Sequence, residues 1–304
     1  MGIALILVTV FGLLVLGTPI AVALGLSSLL FLVSMEGAPL AQVAQGLFQA
    51  IAGNYTLLSV PFFILAASFV ATGGVARRVI RLTLALVGFM PGGLVLAGVF
   101  ACLIFAGLAG SSPITVVAIG TVVIAAMQRE VFSKHFAAGA ICGAGTLGML
   151  VPPSIPMVMF AAVTDTSVAQ LFLGGVVPGV LAAVMMMVVV YFLARRLGLS
   201  RGAWAGWGEV ARSARDAAPA LMLVVIVLGG MGTGYFTPTD AAVTAAIYAF
   251  ILANFVYRDV GPLADGTGAG PLPLWRKPKA LITAFWHQDT RNTVFETGKL
   301  TVTL

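Results

Sequence analysis

The 47 residues from Leu82 to Gln128 contain no charged side chain, and a basic residue, Arg81 or Arg129, stands at each end. As one straight helix this run would be about 70 Å long at about 1.5 Å per residue, more than twice the roughly 30 Å core of a bilayer. If both arginines face the cytoplasm, as basic loops of membrane proteins do, the run must turn back between them. Small residues and a proline occur together in "AGSSP", so we predict the turn at Ser111-Ser112-Pro113.

Apolar residues dominate the whole chain. Of 304 residues, 60% are hydrophobic and 9% are charged, whereas a soluble domain carries roughly 25% charged residues. The sequence lacks the alternating segments of about ten residues that mark a transmembrane β-barrel. It therefore predicts an all-α polytopic membrane protein. The predicted apolar segments are residues 2–17, 20–35, 55–72, 93–110, 113–128, 136–163, 168–194, 219–235 and 239–256.

The charged and reactive residues argue against nucleic-acid, metal and phosphate chemistry. The net charge of +6 comes from basic clusters at 77–81, 129–134, 195–215 and 258–279, between apolar segments. This pattern is typical of cytoplasmic loops. The two cysteines and two histidines lack metal-ligand spacing, and no Walker-type phosphate loop or nucleophile–base pair is present. We expect a chain that is not an enzyme, has no cofactor and is not driven by ATP.

Two Thr-Pro motifs indicate an internal repeat. "TPIAVALGLSSLL" from Thr18 and "TPTDAAVTAAIYA" from Thr237 each follow a Gly-containing apolar helix. If each unit crosses the membrane an odd number of times, the second unit is inverted relative to the first, as in many secondary transporters. The first repeat is predicted over residues 1–215, with scaffold helices, an interfacial arm helix near 73–88, a re-entrant hairpin at 93–128, a broken helix at 136–163 and a helix at 168–194. Residues 216–304 are predicted to begin the second repeat, and we expect the sequence to be truncated before its hairpin.

The predicted turn carries groups that suit ion binding. Ser112 can cap a helix whose first turn contains Pro113. The helix before the turn then ends in unpaired carbonyls, and the helix after it starts with unpaired N–H groups. Carbonyl and hydroxyl oxygens hold small cations such as Na⁺, and the positive helix N-terminus suits a carboxylate. The alternative is an ordinary hairpin that spans the membrane twice, with its tip in the periplasm.

A second break favours the binding-site interpretation. The segment "GAGTLGMLVPPSIPMVMF", residues 143–160, holds three prolines that each remove a backbone donor and obstruct a helix. Non-helical backbone at membrane depth is tolerated where it is buried in protein or lines a cavity. Thr146 and Ser154 add hydroxyl groups; the alternative is a proline kink used for packing alone. Asp240 is another candidate as an intramembrane acid, although Thr237 and Asp240 also fit a helix capping box, which we favour.

Five stretches of the chain together carry a family resemblance. They are "VPFFILAASFVATGGVARR", "GLAGSSPITVVAIG", "GTLGMLVPPSIPMVMFA", "LFLGGVVPG" and "GYFTPTDAAV". In combination they resemble the large membrane subunit of tripartite ATP-independent periplasmic (TRAP) transporters, DctM type. The resemblance implies an elevator-type importer in the bacterial inner membrane, with Na⁺ as the coupling ion. The implied substrates are organic acids: C4-dicarboxylates, sialic acid, or keto and sugar acids.

The resemblance also implies partners and site residues. The partners would be a small four-helix membrane subunit of DctQ type, a periplasmic substrate-binding protein of DctP type and membrane lipid, with no nucleic acid. The hairpin tip would face the broken helix, with a Na⁺ site between them and the substrate beside it. The implied Na⁺ ligands are Ser111, Ser112, Gly145, Thr146, Gly148 and Pro152, and no other metal is expected. The implied substrate contacts are Ser112, Pro113, Thr115, Pro153 and Ser154.

Two other functions are compatible with a membrane protein of this kind. One is another elevator-type carboxylate carrier that works without a binding protein. The other is an integral membrane enzyme, which would need His, Asp or Glu side chains clustered at one depth, and the sequence offers no such cluster. Two successive helix breaks favour transport over both a membrane enzyme and a structural role.

Overall fold

The computed structural model describes residues 2–35, 37, 39–53, 55–72, 74–129, 134–199, 201–263 and 280–303. Within these ranges the regular structure is helical, apart from an isolated backbone bridge between Pro91 and Arg201. Five of the described helical stretches are long and apolar enough to cross a membrane. The prediction of an all-α polytopic membrane protein is thus confirmed. The chain forms two compact units, Met1–Tyr55 and Thr56–Leu304.

The first unit contains α1 (Gly2–Val15), α2 (Ile20–Met35) and α3 (Leu40–Ala52). α1 and α2 follow the predicted segments 2–17 and 20–35. Gly17 adopts a φ of 80° between them, and the Thr18 hydroxyl donates to the Leu13 carbonyl at 2.8 Å. The turn therefore satisfies a carbonyl that the end of α1 leaves open. The apolar pattern does not predict α3, because glutamines recur through that helix.

The second unit begins with the helices that surround the predicted hairpin. They are α4 (Ser59–Thr72), α5 (Val75–Val87), α6 (Gly93–Ala109), α7 (Ser112–Arg129), α8 (Lys134–Gly145), α9 (Leu147–Leu150), α10 (Ile155–Thr164) and α11 (Val168–Arg196). The unit continues with α12 (Trp207–Gly232), α13 (Pro238–Ile251) and its π-helical extension Leu252–Val256, α14 (Ala280–Trp286) and α15 (Gln288–Thr303). The turn between α6 and α7 falls where the uncharged run was predicted to fold back. The segment 136–163 is divided into α8, α9 and α10, and its prolines predict the interruption between α9 and α10.

α6 lies at the centre of the second unit. Most of its residues are buried, and α5, α7, α8 and α11 pack around it. A glycine permits this close packing: a Cβ added at Gly98 would lie 2.7 Å from Ile141 Cδ1 on α8 and 2.9 Å from Val123 Cγ1 on α7. The helix that leads to the predicted tip is therefore held by several neighbours.

The second Thr-Pro motif begins α13 with the capping box that the sequence favours. The Asp240 N–H donates to the Thr237 hydroxyl at 3.2 Å, and the Thr237 N–H donates to the Asp240 carboxylate at 3.1 Å. The capping prediction is confirmed, so the Asp240 carboxylate serves the start of a helix.

α12 begins at Trp207 rather than at the predicted residue 219. Its first turns are helical but carry charged side chains, so the apolar pattern did not include them. The basic residues at 276–279 lie outside the described residues, and α14 begins directly after them.

The order of elements recurs along the chain. In the first half, α1 is followed by Thr18-Pro19 and then by α2, α3 and α4. In the second half, α12 is followed by Thr237-Pro238 and then by α13, α14 and α15. This order is what an internal repeat would produce, and the inversion of one repeat relative to the other stays a prediction.

Two tyrosines bond to the backbone of α12 beside a proline. Pro219 lies inside this helix and has no backbone N–H. The Tyr257 hydroxyl accepts from the Ala220 N–H at 3.2 Å and donates to the Asp216 carbonyl at 2.9 Å. These two backbone groups would bond to each other in an uninterrupted helix. The Tyr248 hydroxyl donates to the Pro219 carbonyl at 2.6 Å, so both tyrosines bond to the backbone of α12 around the proline.

Ion pairs join α5 to the second half of the chain. Arg78 pairs with Asp259 and lies over the Tyr257 ring, 3.8 Å from its centroid. Arg81 contacts Glu209 at 2.7 Å and Asp216 at 3.4 Å. The side chains are partly exposed, so solvent weakens each pair and each contributes little to stability. The Arg81 pairs join α5 to the first turns of α12.

Candidate functional site

The predicted tip is a tight turn between α6 and α7. Gly110 follows the last residue of α6 with φ 60°, a left-handed helix end that favours glycine. α7 begins at Ser112. The prediction that Ser112 caps this helix is therefore wrong, because Ser112 is the first helical residue. Ser111 holds the cap position, since its carbonyl accepts from the Thr115 N–H at 3.0 Å.

Oxygen atoms with free lone pairs converge on the tip. The carbonyls of the last three residues of α6, Gly107, Leu108 and Ala109, receive no hydrogen bond from a described residue. The hydroxyls of Ser111 and Ser112 likewise have no partner among the described residues. Helix ends leave such groups open by construction, and they must find a partner elsewhere when they are removed from water.

The second break lies between α8 and α10. The helix is interrupted at Thr146 and again over Val151 to Ser154, and the Pro152–Pro153 peptide bond is cis. Pro153 cannot donate to the carbonyl of Met149, four residues earlier. The Ser154 hydroxyl donates to that carbonyl instead, at 2.7 Å, and the Ser154 side chain is fully buried. The serine thus satisfies an acceptor that the proline leaves open.

The tip and the second break are in direct contact. The Ile155 N–H at the start of α10 donates to the Gly110 carbonyl at 3.2 Å. A Cβ added at Gly110 would lie 2.2 Å from the Pro153 carbonyl oxygen. A Cβ added at Gly148 would lie 2.9 Å from both the Ser111 carbonyl carbon and the Ser112 nitrogen. Glycine is required at both positions because two backbones approach each other without intervening side chains.

Most of the residues predicted to bind Na⁺ or substrate lie at this contact, and their side chains differ in exposure to solvent. Gly145, Gly148, Pro152, Pro153 and Ser154 are buried beside the tip, and Ser111 and Ser112 are half-buried.

Three predicted residues stand apart from the backbone contact. Thr146 is exposed, and its hydroxyl donates to the Gly143 carbonyl at 2.7 Å. Thr115 is buried, and its hydroxyl donates to the Ser111 carbonyl at 2.8 Å, so it supports the tip from within α7. Pro113 is exposed and faces a cavity.

That cavity has a volume of about 500 Å³ and lies between α4, α5, α7 and α15. Pro113 lines it together with Ser68, Thr72, Arg77 and Glu296. In the sequence, Arg77 belongs to the basic cluster at 77–81, which indicates only the orientation of a loop. Arg77 stands directly before a second arginine. Because such basic clusters commonly mark the cytoplasmic side of a membrane protein, the sequence does not indicate that Arg77 lines a cavity.

The chain matches a family of known transporters. The family is described as the tripartite ATP-independent periplasmic transporter, DctM component, and residues 7–262 match it. The chain belongs to this family. It is thus a multi-pass protein of the bacterial inner membrane, and the family is one of transporters.

The DctM relatives differ in the substrate that their names carry. A C4-dicarboxylate TRAP transporter large permease protein of Vibrio cholerae is 52% identical over 304 residues, which is all of this chain and 66% of the relative. A protein of the same name from Pseudomonas aeruginosa is 48% identical over 78% of this chain and 56% of its own length. A sialic acid TRAP transporter large permease protein of Vibrio cholerae is 34% identical over 81% of this chain and 58% of its own length. The chain therefore spans about 56% to 66% of the length of these relatives.

In this DctM chain, the groups available to a cation at the tip are neutral oxygens. No cluster of three or more His, Cys, Asp or Glu residues that could hold a metal ion occurs in the described part of the chain. The tip and the break offer carbonyl and hydroxyl oxygens, a donor set that suits a hard, singly charged cation and not a transition metal.

Proposed function

We propose that this DctM chain forms the transport core of a Na⁺-coupled importer of organic acids that works with a periplasmic binding protein. The observation that carries the proposal is the backbone contact between the tip at Gly110–Ser112 and the broken helix at Gly145–Ser154. Two interrupted helices that face each other are the usual construction of ion and substrate sites in secondary transporters. The substrate crosses the membrane without a chemical step.

Na⁺ would bind where the two breaks meet. The tip supplies the carbonyls at the end of α6 and the hydroxyls of Ser111 and Ser112, which have no described partner. The break supplies backbone oxygens next to Gly145, Gly148 and Pro152. Such oxygens can replace the hydration shell of a small cation, and the negative end of the α6 dipole favours the positive charge.

The acid would bind beside the cation, in the cavity that Pro113 lines. α7 begins beside this cavity, and the positive end of its helix dipole favours a carboxylate there. Arg77 lines the same cavity and supplies a second positive group. A substrate with two carboxylates could use both, which agrees with the C4-dicarboxylate names of the relatives from Vibrio cholerae and Pseudomonas aeruginosa. We therefore propose a C4-dicarboxylate such as succinate as the first substrate to test.

A small membrane subunit and a soluble binding protein would complete the system. One relative, from Oleidesulfovibrio alaskensis, is named isethionate TRAP transporter permease protein DctMQ. This name supports a membrane partner of DctQ type for the present chain, and the family description supports a periplasmic partner of DctP type. The hairpin and its neighbours would move as one body against scaffold helices.

Uptake into proteoliposomes tests the proposal. The full-length protein with its small subunit should accumulate radiolabelled succinate only when a Na⁺ gradient and the binding protein are both present. Ser112→Ala should raise the Na⁺ concentration for half-maximal uptake, whereas Ser28→Ala, an exposed serine on α2, should not. Equal uptake with K⁺ in place of Na⁺ would refute the coupling, and equal uptake without the binding protein would favour a carrier that works alone.

A further inference from the structure

An apolar groove of about 350 Å³ opens on the surface between α5, α6 and α11. Its walls are Val87, Met90 and Leu96 on one side and Val188, Tyr191 and Phe192 on the other. The proposed transport site uses none of these residues. The groove therefore needs an apolar occupant of its own in the membrane.

Arginines continue the α11 side of the groove toward the end of the helix. Arg195 lies four residues after Tyr191, and Arg196 lies four residues after Phe192, so each arginine shares a helix face with a groove residue. Arg201 is brought to the same end by its backbone bridge to Pro91. All three side chains are exposed, and none has an acidic partner among the described residues.

Aromatic side chains stand beside these arginines. Phe89, next to the groove residue Met90, packs edge-on against Trp204 with ring centroids 5.0 Å apart. Trp204 packs edge-on against Trp207 at 5.7 Å, and Trp207 is 76% exposed. Exposed tryptophans at the end of an apolar helix are typical of the membrane–water boundary, where their rings lie among lipid headgroups.

The length of α11 gives the depth of each part. Its 29 residues extend about 44 Å at about 1.5 Å per residue, which matches the roughly 40–45 Å of a bilayer with its headgroup layers. Arg195 and Arg196 are in the last turn and therefore reach the headgroup layer. Val188 and Phe192 lie about 6–12 Å deeper, in the acyl-chain region.

We propose that this groove binds one anionic phospholipid, with an acyl chain along Val188 and Phe192 and the phosphate at Arg195, Arg196 and Arg201. Unpaired arginines at the headgroup level are the groups that recognise anionic lipid, and guanidinium binds phosphate through paired hydrogen bonds. A helix of a partner subunit fits less well. An apolar helix would cover the groove but would leave the arginines at its end without an anion.

Native mass spectrometry of the full-length protein tests the proposal. The protein would be equilibrated in nanodiscs that hold equal amounts of phosphatidylglycerol and phosphatidylcholine, released, and examined for retained lipid. Each arginine near the surface contributes about fivefold to anionic-lipid affinity. We expect one phosphatidylglycerol to be retained, and Arg195→Gln with Arg196→Gln to weaken its binding about 30-fold.

Two matched controls separate the site from the bulk lipid shell. Arg215→Gln with Arg291→Gln removes two exposed arginines that do not line the groove, and should leave the retained lipid unchanged. Val188→Trp fills the groove and should release the lipid, whereas Val177→Trp, at a position on α11 that is 73% exposed, should not. Equal retention of both lipids, or equal loss in the controls, would overturn the proposal. Loss of the small membrane subunit in Val188→Trp, with the lipid retained elsewhere, would also overturn it and identify the groove as a protein interface.

Discussion

Gly148→Ala perturbs the contact between the two breaks with a single methyl group. The new Cβ would lie 2.9 Å from the Ser111 carbonyl carbon and the Ser112 nitrogen, whereas carbon atoms in contact prefer about 3.5–4.0 Å. The tip must therefore move by about 0.6 Å or more. Overpacking of this kind costs about 1–3 kcal/mol.

The cost should appear in Na⁺ binding and not only in folding. In the absence of Na⁺ the tip can relax away from Gly148, but the proposed ion needs oxygens from both sides at once. A cost of about 1–3 kcal/mol then lowers the apparent Na⁺ affinity about 5- to 140-fold. The assay is succinate uptake into proteoliposomes at varied external Na⁺, together with the Na⁺ concentration that half-saturates the thermal stabilisation of the protein in detergent.

Gly139→Ala is the matched control for this variant. Gly139 lies on α8, and a Cβ there would meet no atom within 4 Å. Alanine is the better helix former, so this variant should be neutral or more stable by up to about 1 kcal/mol. If Gly148→Ala and Gly139→Ala show the same Na⁺ dependence, the tip and the break do not share an ion, and the argument from their contact fails.

Three further variants test the contacts around the site and the fold. Tyr257→Phe should destabilise the protein by about 1–3 kcal/mol in thermal unfolding, because the Ala220 N–H and the Asp216 carbonyl lose the hydroxyl that bonds to both. Burial raises the pKa of the Tyr257 hydroxyl to about 12, above the roughly 10 of an unfolded chain. The contribution of the neutral hydroxyl should therefore be present below pH 10 and lost toward pH 12, and a pH series of melting temperatures in which wild type and Tyr257→Phe fail to converge would contradict this. Asp240→Ala should lower the melting temperature through the lost capping box without changing Na⁺ dependence; a changed Na⁺ dependence would make Asp240 a site residue. Ser154→Ala should both destabilise the protein by about 1–3 kcal/mol and lower transport, since its buried hydroxyl satisfies a carbonyl at the break; full activity would show that the break tolerates an open carbonyl.

Charges, prolines and capping residues in the sequence were sufficient to predict most of the helices and the two breaks. A charge-free run of twice the membrane thickness has to fold back, and the small residues with Pro113 fix the place. Prolines remove backbone donors, so the interruption at residues 151–154 follows from covalent chemistry alone. The capping box at Thr237 and Asp240 also depends on neighbours in sequence, and it was predicted for that reason.

Most of the features that the sequence did not predict depend on contacts between residues that are distant in sequence. Arg77 lines the cavity beside Pro113 only because α5 and α7 pack near each other, and nothing in its own cluster indicates that role. α12 begins at Trp207 because its charged first turns are stabilised by packing and by pairs such as Arg81 with Glu209, 128 residues away. The cap of α7 differs by one residue from the prediction, since the helix includes Ser112 itself.

Prolines at two places in this chain show why the sequence signal alone does not identify a site. Pro219 lies inside α12, and the Tyr257 hydroxyl bonds to the Ala220 N–H and the Asp216 carbonyl beside it. At the second break Ser154 satisfies one carbonyl, while the facing tip retains carbonyls and hydroxyls without a described partner. Backbone groups beside a proline need no ligand where a side chain of the protein bonds to them. Where they face a second set of carbonyl and hydroxyl oxygens without partners, the two sets together suit a cation. The partner that makes this difference at Pro219 is a tyrosine 38 residues away in the numbering, so only the folded structure distinguishes the two cases.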